Sequence, residues 1–347
     1  MKIAVICDSH FGARNDSPIF LDYFLSFFEN QFFPYLREHG ITQVIHLGDM
    51  MDRRKFVNFF TLSEVKNRFL KPFETGEFKM DCIIGNHDTF YRNTNSLNSV
   101  NQLFDISGIT VYENPICMNY DGLEIALVPW INKSNHDETM EFIKQVSAPI
   151  LMGHLELAGY QVLRGISHEG GMDSSLLAKF ESVYSGHFHC RQSDRNVMYL
   201  GTPYQITFGD LGEDKGFHVL DTDTRNMEFV KNTKKMFHTI VYDDKSQDML
   251  KLDFTQYKNC YIKVIIENKS KPMTFDRFME ALYTSPVTSL NIIEKENIDL
   301  LTETPVDNSQ DTLSIINTEI DGMEEIENKN KLKTLIYDLY MESISIE

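Results

Sequence analysis

Residues 2–10 read KIAVICDSH, an apolar, β-branched run over positions 2–7 that stops at Asp8-Ser9-His10. A run of this length predicts one buried strand that delivers a carboxylate and an imidazole at its carboxyl end. The pattern recurs along the chain. Strands are predicted at 43–47, 81–84, 149–152 and 182–185, and each leads into a glycine-led polar motif. These motifs are Gly48-Asp49, Gly85-Asn86-His87-Asp88, Gly153-His154 and Gly186-His187-Phe188-His189. Two more strands are predicted at 123–128 and 197–200. Between the first two strands, residues 19–36 repeat Phe, Leu and Tyr at three- and four-residue spacing, which predicts an amphipathic helix with a heavy aromatic face. Strand–helix–strand order implies parallel crossovers, hence an α/β domain. The short connections between later strands predict a mixed sheet, or a second sheet packed on the first.

In an open α/β sheet, ligands bind in the crevice outside the carboxyl ends of the strands. Five of the 11 histidines (His10, His87, His154, His187 and His189) fall inside these strand-end motifs. Imidazoles, carboxylates and an amide oxygen, with no thiolate, suit Mn²⁺, Fe²⁺ or Zn²⁺. In both Asp8-x-His10 and His187-x-His189, alternate side chains project to one side of an extended segment and reach one ion. Asp8, His10, Asp49, Asn86, His154, His187 and His189 are seven candidate ligands, too many for one ion but suited to two sharing a carboxylate. Such a pair generates a hydroxide nucleophile and clamps both oxygens of an in-line phosphoryl displacement. A lone Asp-x-His is usually a turn, and Gly-Asp alone is weaker still. Gly-Asn-His-Asp is harder to explain as a polar turn, and together, in this order, the motifs predict a dinuclear phosphoesterase site. His46, His168 and His218 lie outside the pattern and read as core or loop residues.

The 347 residues are 42% hydrophobic and 24% charged, which excludes wholesale disorder. A formal charge of −18 argues against a protein held on nucleic acid by its own bulk charge, though not against a local basic strip. Five scattered cysteines without a C-x-x-C pair predict neither a disulfide framework nor a zinc knuckle, and suit a reducing compartment. With no secretory segment and no apolar run near 20 residues, a cytoplasmic protein without membrane association is expected. The texture changes after the first 240 residues, the expected catalytic domain. A strand at 260–266, a helix at 274–283 and a strand at 287–293 predict a small α+β domain over 254–300. Residues 301–311 are linker-like. Residues 312–347 are expected to form a helical pair, 312–320 and 331–343, the second with Leu332, Leu335, Ile336, Leu339 and Tyr340 along one stripe. That stripe needs a surface to pack on, either the parent domain or a partner protein.

The five motifs resemble the signature of calcineurin-like metallophosphoesterases, which implies a two-sheet sandwich flanked by helices. Carried over by position, the resemblance implies that Asp8, His10, Asp49 and His189 hold one metal. Asp49, Asn86, His154 and His187 would hold the other, with Asp49 bridging. It implies that His87 is the catalytic histidine beside the scissile phosphate, and that Asp88 orients His87 by a hydrogen bond. Residues 201–210, GTPYQITFGD, and Val128-Pro129-Trp130 are similar to segments of SbcD-type DNA-repair nucleases. The α+β unit looks like that family's capping domain, and the helical pair like the one that binds the coiled-coil root of an SMC-like ATPase. The compact size and acidic tail are most similar to phage members. Asp52 stands where archaeal and eukaryotic relatives carry a second active-site histidine.

A nuclease must hold phosphates. Arg53, Arg54 and Lys55 follow the bridging aspartate, and Arg92 follows the catalytic loop, so these four are the expected DNA contacts, with Arg191 and Arg195 weaker candidates. The resemblance implies a Mn²⁺-dependent DNA phosphodiesterase with two ions, exonucleolytic on duplex ends and endonucleolytic on single strands. It would act in break repair and recombination, as a homodimer within a heterotetramer with an SMC-like ATPase. The alternatives are a cyclic-nucleotide or dinucleotide phosphoesterase of the same superfamily, and a non-catalytic scaffold for DNA and ATPase.

Overall fold

A computed structural model describes residues 1–246, 248–294 and 328–344, with Ile316 and Ile320. The expected linker 301–311 and most of the expected helix 312–320 lie outside the described residues. The chain divides into two units. The first comprises 1–204, 213–233 and the C-terminal residues from Asn328; the second comprises 205–212 and 234–327.

Two six-stranded sheets build the first unit. One is ordered Met227–Lys231, Gly216–Asp221, Lys2–Ile6, Gln43–His46, Lys79–Ile83, Ile109–Tyr112. Its last four strands are parallel, and Gly216–Asp221 closes antiparallel on Lys2–Ile6. The other is ordered Gln192–Asp194, Val197–Tyr199, Ser182–Gly186, Ile150–His154, Leu123–Val128, Ile116–Tyr120. Its four central strands are parallel and its edges antiparallel. Alternation along each strand supplies the layer between the sheets: Ile3, Val5, Ile45 and Leu47 meet Ile125, Leu127, Ile150 and Met152, all buried. The expected two-sheet sandwich is therefore present. The edge strands 109–112, 116–120, 192–194 and 227–231 carry half-exposed, polar-interrupted patterns, and for that reason were not legible as apolar runs.

The aromatic helix runs from Pro18–Phe27 through a π-turn at Phe28–Phe32 to Phe33–Glu38. The wider turn keeps Phe27, Phe28, Phe32 and Phe33 all buried, which a strict 3.6-residue period would not allow. Phe24 stacks on Tyr204 at 4.0 Å between centroids and Phe28 meets Phe69 at 4.5 Å. Each buried Phe contributes about 1.5–3 kcal/mol. The outer face of the second sheet is covered by the helix His136–Gln145 and by Tyr337 of the C-terminal helix Lys329–Ile344. That helix lies against the short strand Ile166–Ser167, so the parent domain is one surface on which it packs. The packed residues are Lys333 and Tyr337, one turn apart, whereas Leu335 of the expected stripe is 55% exposed.

The second unit has three parallel strands, Phe237–Asp243, Tyr261–Asn268 and Ser289–Glu294, with the helix Pro272–Tyr283 packed through Phe278, Met279 and Leu282. The expected domain edges at 240 and 254 need correction, because residue 240 falls inside a strand of this sheet. Ile240 and Tyr242 point into its core, and pairing with Tyr261–Asn268 takes this strand out of the catalytic domain. Residues 205–212 belong here too: the Gln205 side-chain oxygen accepts from the Met236 and Phe237 amides at 2.9 and 3.1 Å.

Candidate metal centre

Strand ends of both sheets meet at one place. Backbone bonds zip 8–11 alongside 48–52: Asp8 N donates to Gly48 O (3.0 Å), His10 N to Asp49 O (3.1 Å) and Phe11 N to Met50 O (2.9 Å). Four non-glycine residues here turn with positive φ: Asp8 (52°), His10 (43°), Asp49 (54°) and His187 (86°). Each left-handed L-residue costs about 1–2 kcal/mol, strain that concentrates on four of the seven expected ligands. Glycine is required where the tips approach. A Cβ on Gly85 would strike the Asp49 carboxylate and amide, and one on Gly186 would lie 2.9 Å from Asp8 Oδ2.

The seven expected ligands form two groups around Asp49. On one side, donor atoms of Asp8, His10 and His189 lie within 4.8 Å of one another, and His10 Nε2 stands 3.0 Å from His189 Nε2 and 3.8 Å from Asp49 Oδ2. On the other, Asp49, His154 and His187 form a second such group. Asn86 Oδ1 is 2.9 Å from both His154 Nε2 and His187 Nδ1, and His154 Nε2 is 3.4 Å from Asp49 Oδ2. Nitrogens on adjacent vertices around one ion, at bond lengths of about 2.1 Å, sit about 3 Å apart. The donors are thus spaced as a coordination shell spaces them, and the residues fit a pair of divalent ions. Asp49 is buried and flanked by both groups, as a bridging carboxylate requires.

The electrostatics report crowding of like and unlike charge. Burial disfavours charge on His10 and His154, yet the carboxylates of Asp49, Asp52 and Asp8 around His10, and of Asp49 and Asp8 around His154, outweigh it and hold each near 9. Burial and the neighbouring His154 push His187 down to about 3, and burial with His10 and Lys215 pushes His189 well down. Against the cost of its own burial, Asp49 is held well below the usual carboxylate range by His154 and His87. Two imidazoles kept neutral and a carboxylate kept charged are the states in which these groups bind metal.

His87 lies at this cluster, with a ring nitrogen within 4.8 Å of donor atoms of His10 and Asp49. Its amide donates to Asp49 Oδ1 at 2.7 Å, and its Nδ1 lies 2.6 Å from the Asp52 carbonyl oxygen. The expected hydrogen bond from Asp88 to His87 is replaced by other contacts. Asp88 accepts instead from the amides of Gly85 (2.9 Å), Asp49 (2.8 Å), Met50 (3.0 Å) and Met51 (3.1 Å). A buried carboxylate beside two glycine-led loops satisfies their otherwise orphaned N–H groups, and a ring nitrogen cannot compete with four amides. Asp88 therefore clamps the Asp49 loop to the Gly85 loop.

Three further residues adjoin the cluster, and of these only Lys215 lies in no motif noted in the sequence. Asp52 Oδ1 lies 3.1 Å from His10 Nδ1. Lys215, almost fully buried, donates to the His189 carbonyl at 2.9 Å and pairs with Glu213. Trp130, the single tryptophan, stands with its ring 5.2 Å from that of His187. Of the expected DNA contacts, Arg53 is held by Asn15 Oδ1 (2.7 Å) and Asp16 (3.3 Å), Arg54 is half-buried, and Lys55 and Arg92 are exposed. Arg191 lies over the Phe229 ring at 4.1 Å, and Arg195 is exposed.

A two-sheet sandwich with imidazole and carboxylate donors gathered at its strand ends defines a metallophosphoesterase. The chain belongs to the calcineurin-like phosphoesterase family, whose signature spans residues 1–191. It is 31% identical over 297 residues to exonuclease subunit 1 of Enterobacteria phage T4, covering 85% of this chain and 84% of that one. A solved archaeal phosphodiesterase is similar over 67% of this chain and all of its own, at 16% identity and a TM-score of 0.34. The chain is thus a phosphoester-hydrolysing enzyme of a family that uses divalent metals. No helix among the described residues is long and apolar enough to cross a membrane.

Proposed function

We propose that this enzyme is a Mn²⁺-dependent DNA phosphodiesterase, cutting duplex ends exonucleolytically and single strands endonucleolytically. It serves as the nuclease subunit of a complex with an SMC-like ATPase in break repair and recombination. The observation that carries the chemistry is the position of Asp49 between two donor groups, in a chain 31% identical to a phage exonuclease subunit. Two bound ions would supply a hydroxide nucleophile and neutralise the phosphate oxygens. Asp8, His10, Asp49 and His189 would hold one ion, and Asp49, Asn86, His154 and His187 would hold the other. A carbonyl only accepts, so Asp52 O keeps a hydrogen on His87 Nδ1, and the proton exchanged with the leaving oxygen is carried on Nε2.

Two exposed surfaces support the assembly. Leu335 points away from the face on which Tyr337 packs, leaving an apolar residue of the last helix for the ATPase. Phe56, Phe59 and Phe60, a few residues after the Asp49 loop in sequence, are 66%, 88% and 53% exposed, apolar surface that suits a second copy of the chain. Work on DNA with such partners places the enzyme in the cytoplasm, that of the host if the chain is phage-encoded.

The test uses end-labelled duplex and single-stranded DNA with Mn²⁺ or Mg²⁺, with and without the ATPase. DNA cleavage that requires the metal is expected. Cleavage of cyclic nucleotides or dinucleotides but never of DNA would place the enzyme with the small-molecule phosphodiesterases. A chain that binds DNA and ATPase but no metal would be a scaffold.

A further inference from the structure

We propose that Arg54 binds a non-bridging oxygen of the phosphate at the metal centre, and is the anchor among the three consecutive cations 53–55. The inference rests on the two-metal reading of the site and adds the group that holds the substrate's phosphate.

The three cations have different surroundings. Arg53 is already engaged, its guanidinium bonded to Asn15 Oδ1 at 2.7 Å and 3.3 Å from Asp16. Its acceptors belong to an unusual turn in which Arg14, Asn15 and Asp16 all have positive φ, between 56° and 59°. Asp16 is fixed further by the Thr61 hydroxyl at 2.8 Å. The strained turn thus ties Arg53 to the scaffold. Lys55 is exposed and presents a compact point charge rather than a planar fork.

Arg54 is the one that is enclosed. Its Nη1 is buried and meets no hydrogen-bond acceptor among the described residues. An unmet buried donor is costly, and more so on a charged group. The Asp49 carboxylate lies close enough for its charge to act on the guanidinium, and so does the cation of Arg92, which repels it. Burial and Arg92 together outweigh Asp49 and disfavour the charge of Arg54. The guanidinium of Arg54 thus keeps a buried donor unmet within reach of the charge of Asp49, where an anionic acceptor would satisfy it. A phosphate oxygen accepts from a guanidinium in the planar, charge-assisted geometry that arginine presents. The same oxygen would relieve the repulsion between Arg54 and Arg92.

The experiment measures equilibrium binding of inorganic phosphate to the full chain loaded with Mn²⁺, alongside Mn²⁺ titration followed by Trp130 fluorescence. Arg54→Ala should weaken phosphate binding about tenfold or more and raise KM for a small phosphodiester, with the Mn²⁺ titration unchanged. Arg54→Gln, which preserves volume and polarity, should weaken phosphate binding as well, and Arg54→Lys should restore part of it. Unchanged phosphate affinity in Arg54→Ala or Arg54→Gln, with normal Mn²⁺ binding, overturns the proposal alone. Failure of the wild-type chain to bind Mn²⁺ overturns it together with the metal-centre reading.

Discussion

His10 and His189 lie 179 residues apart in the chain, yet their Nε2 atoms stand 3.0 Å from each other at the meeting of the two sheets. One ring is buried and the other half-buried, and nitrogens at that spacing are placed as two ligands of one ion are. The left-handed backbone at His10, and at Asp8, Asp49 and His187, has the same sense: strain held where ligands must converge.

Asp49 belongs to the donor group of His154 and His187, and its Oδ2 lies 3.8 Å from His10 Nε2 of the other group. Asp49→Ala should abolish Mn²⁺ quenching of Trp130 fluorescence at both sites and all hydrolysis. Retention of one full-affinity site would show that the carboxylate does not bridge.

His87→Ala should separate chemistry from metal binding. The expected outcome is a fall in kcat of roughly 10²–10⁴-fold, typical for loss of a general acid–base group, with an unchanged Mn²⁺ titration. Full turnover would remove His87 from the reaction.

Asp88 accepts from four amides, so its replacement is felt first in stability. With about 1–3 kcal/mol for each buried donor left unmet, Asp88→Ala should cost several kcal/mol and lower Tm. Metal affinity should fall too, because the Asp49 loop loosens. A variant with wild-type Tm and only slowed turnover would point back to a role through His87.

Protons and metal compete at His10 and His154. In the metal-free protein both are held near 9, so both carry a proton at pH 7 that an ion must displace. Mn²⁺ affinity should therefore rise with pH through about 9, by up to roughly tenfold per unit for each proton released. Stability of the metal-free chain runs the other way. A histidine whose folded pKa is raised contributes fully below its unfolded value of about 6.5, and that contribution is lost as pH rises through about 9. Fluorescence titrations and thermal melts at pH 6.5, 7.5 and 9.5 check both signs.

Leu335 and Tyr337 distinguish the two faces of the last helix. Leu335→Asp should change stability by no more than about 0.5 kcal/mol, since the side chain is exposed, and should weaken co-elution with the ATPase. Tyr337→Ala removes a contact to the core of the second sheet and should lower Tm. Unaltered co-elution of Leu335→Asp would remove this face from the partner interface.

By itself the sequence determined the positions of the central strands along the chain, the aromatic helix and the place of every candidate ligand just after a strand. These follow from short-range pattern: an apolar run long enough for one strand, then a glycine and a polar residue. Edge strands were less legible because half their residues face solvent, and the strand 237–243 because its partner lies beyond a break in the pattern. Only the tertiary structure decided the partners. Asp88 follows His87 directly in sequence but spends its oxygens on four amides, three of them on a loop some 40 residues earlier. Arg53 and Arg54 are neighbours, yet Asn15 and Asp16 claim one and leave the other enclosed. Strand pattern is set by neighbours along the chain. The partner of a hydrogen bond is set by whichever distant loop brings the better-placed donor.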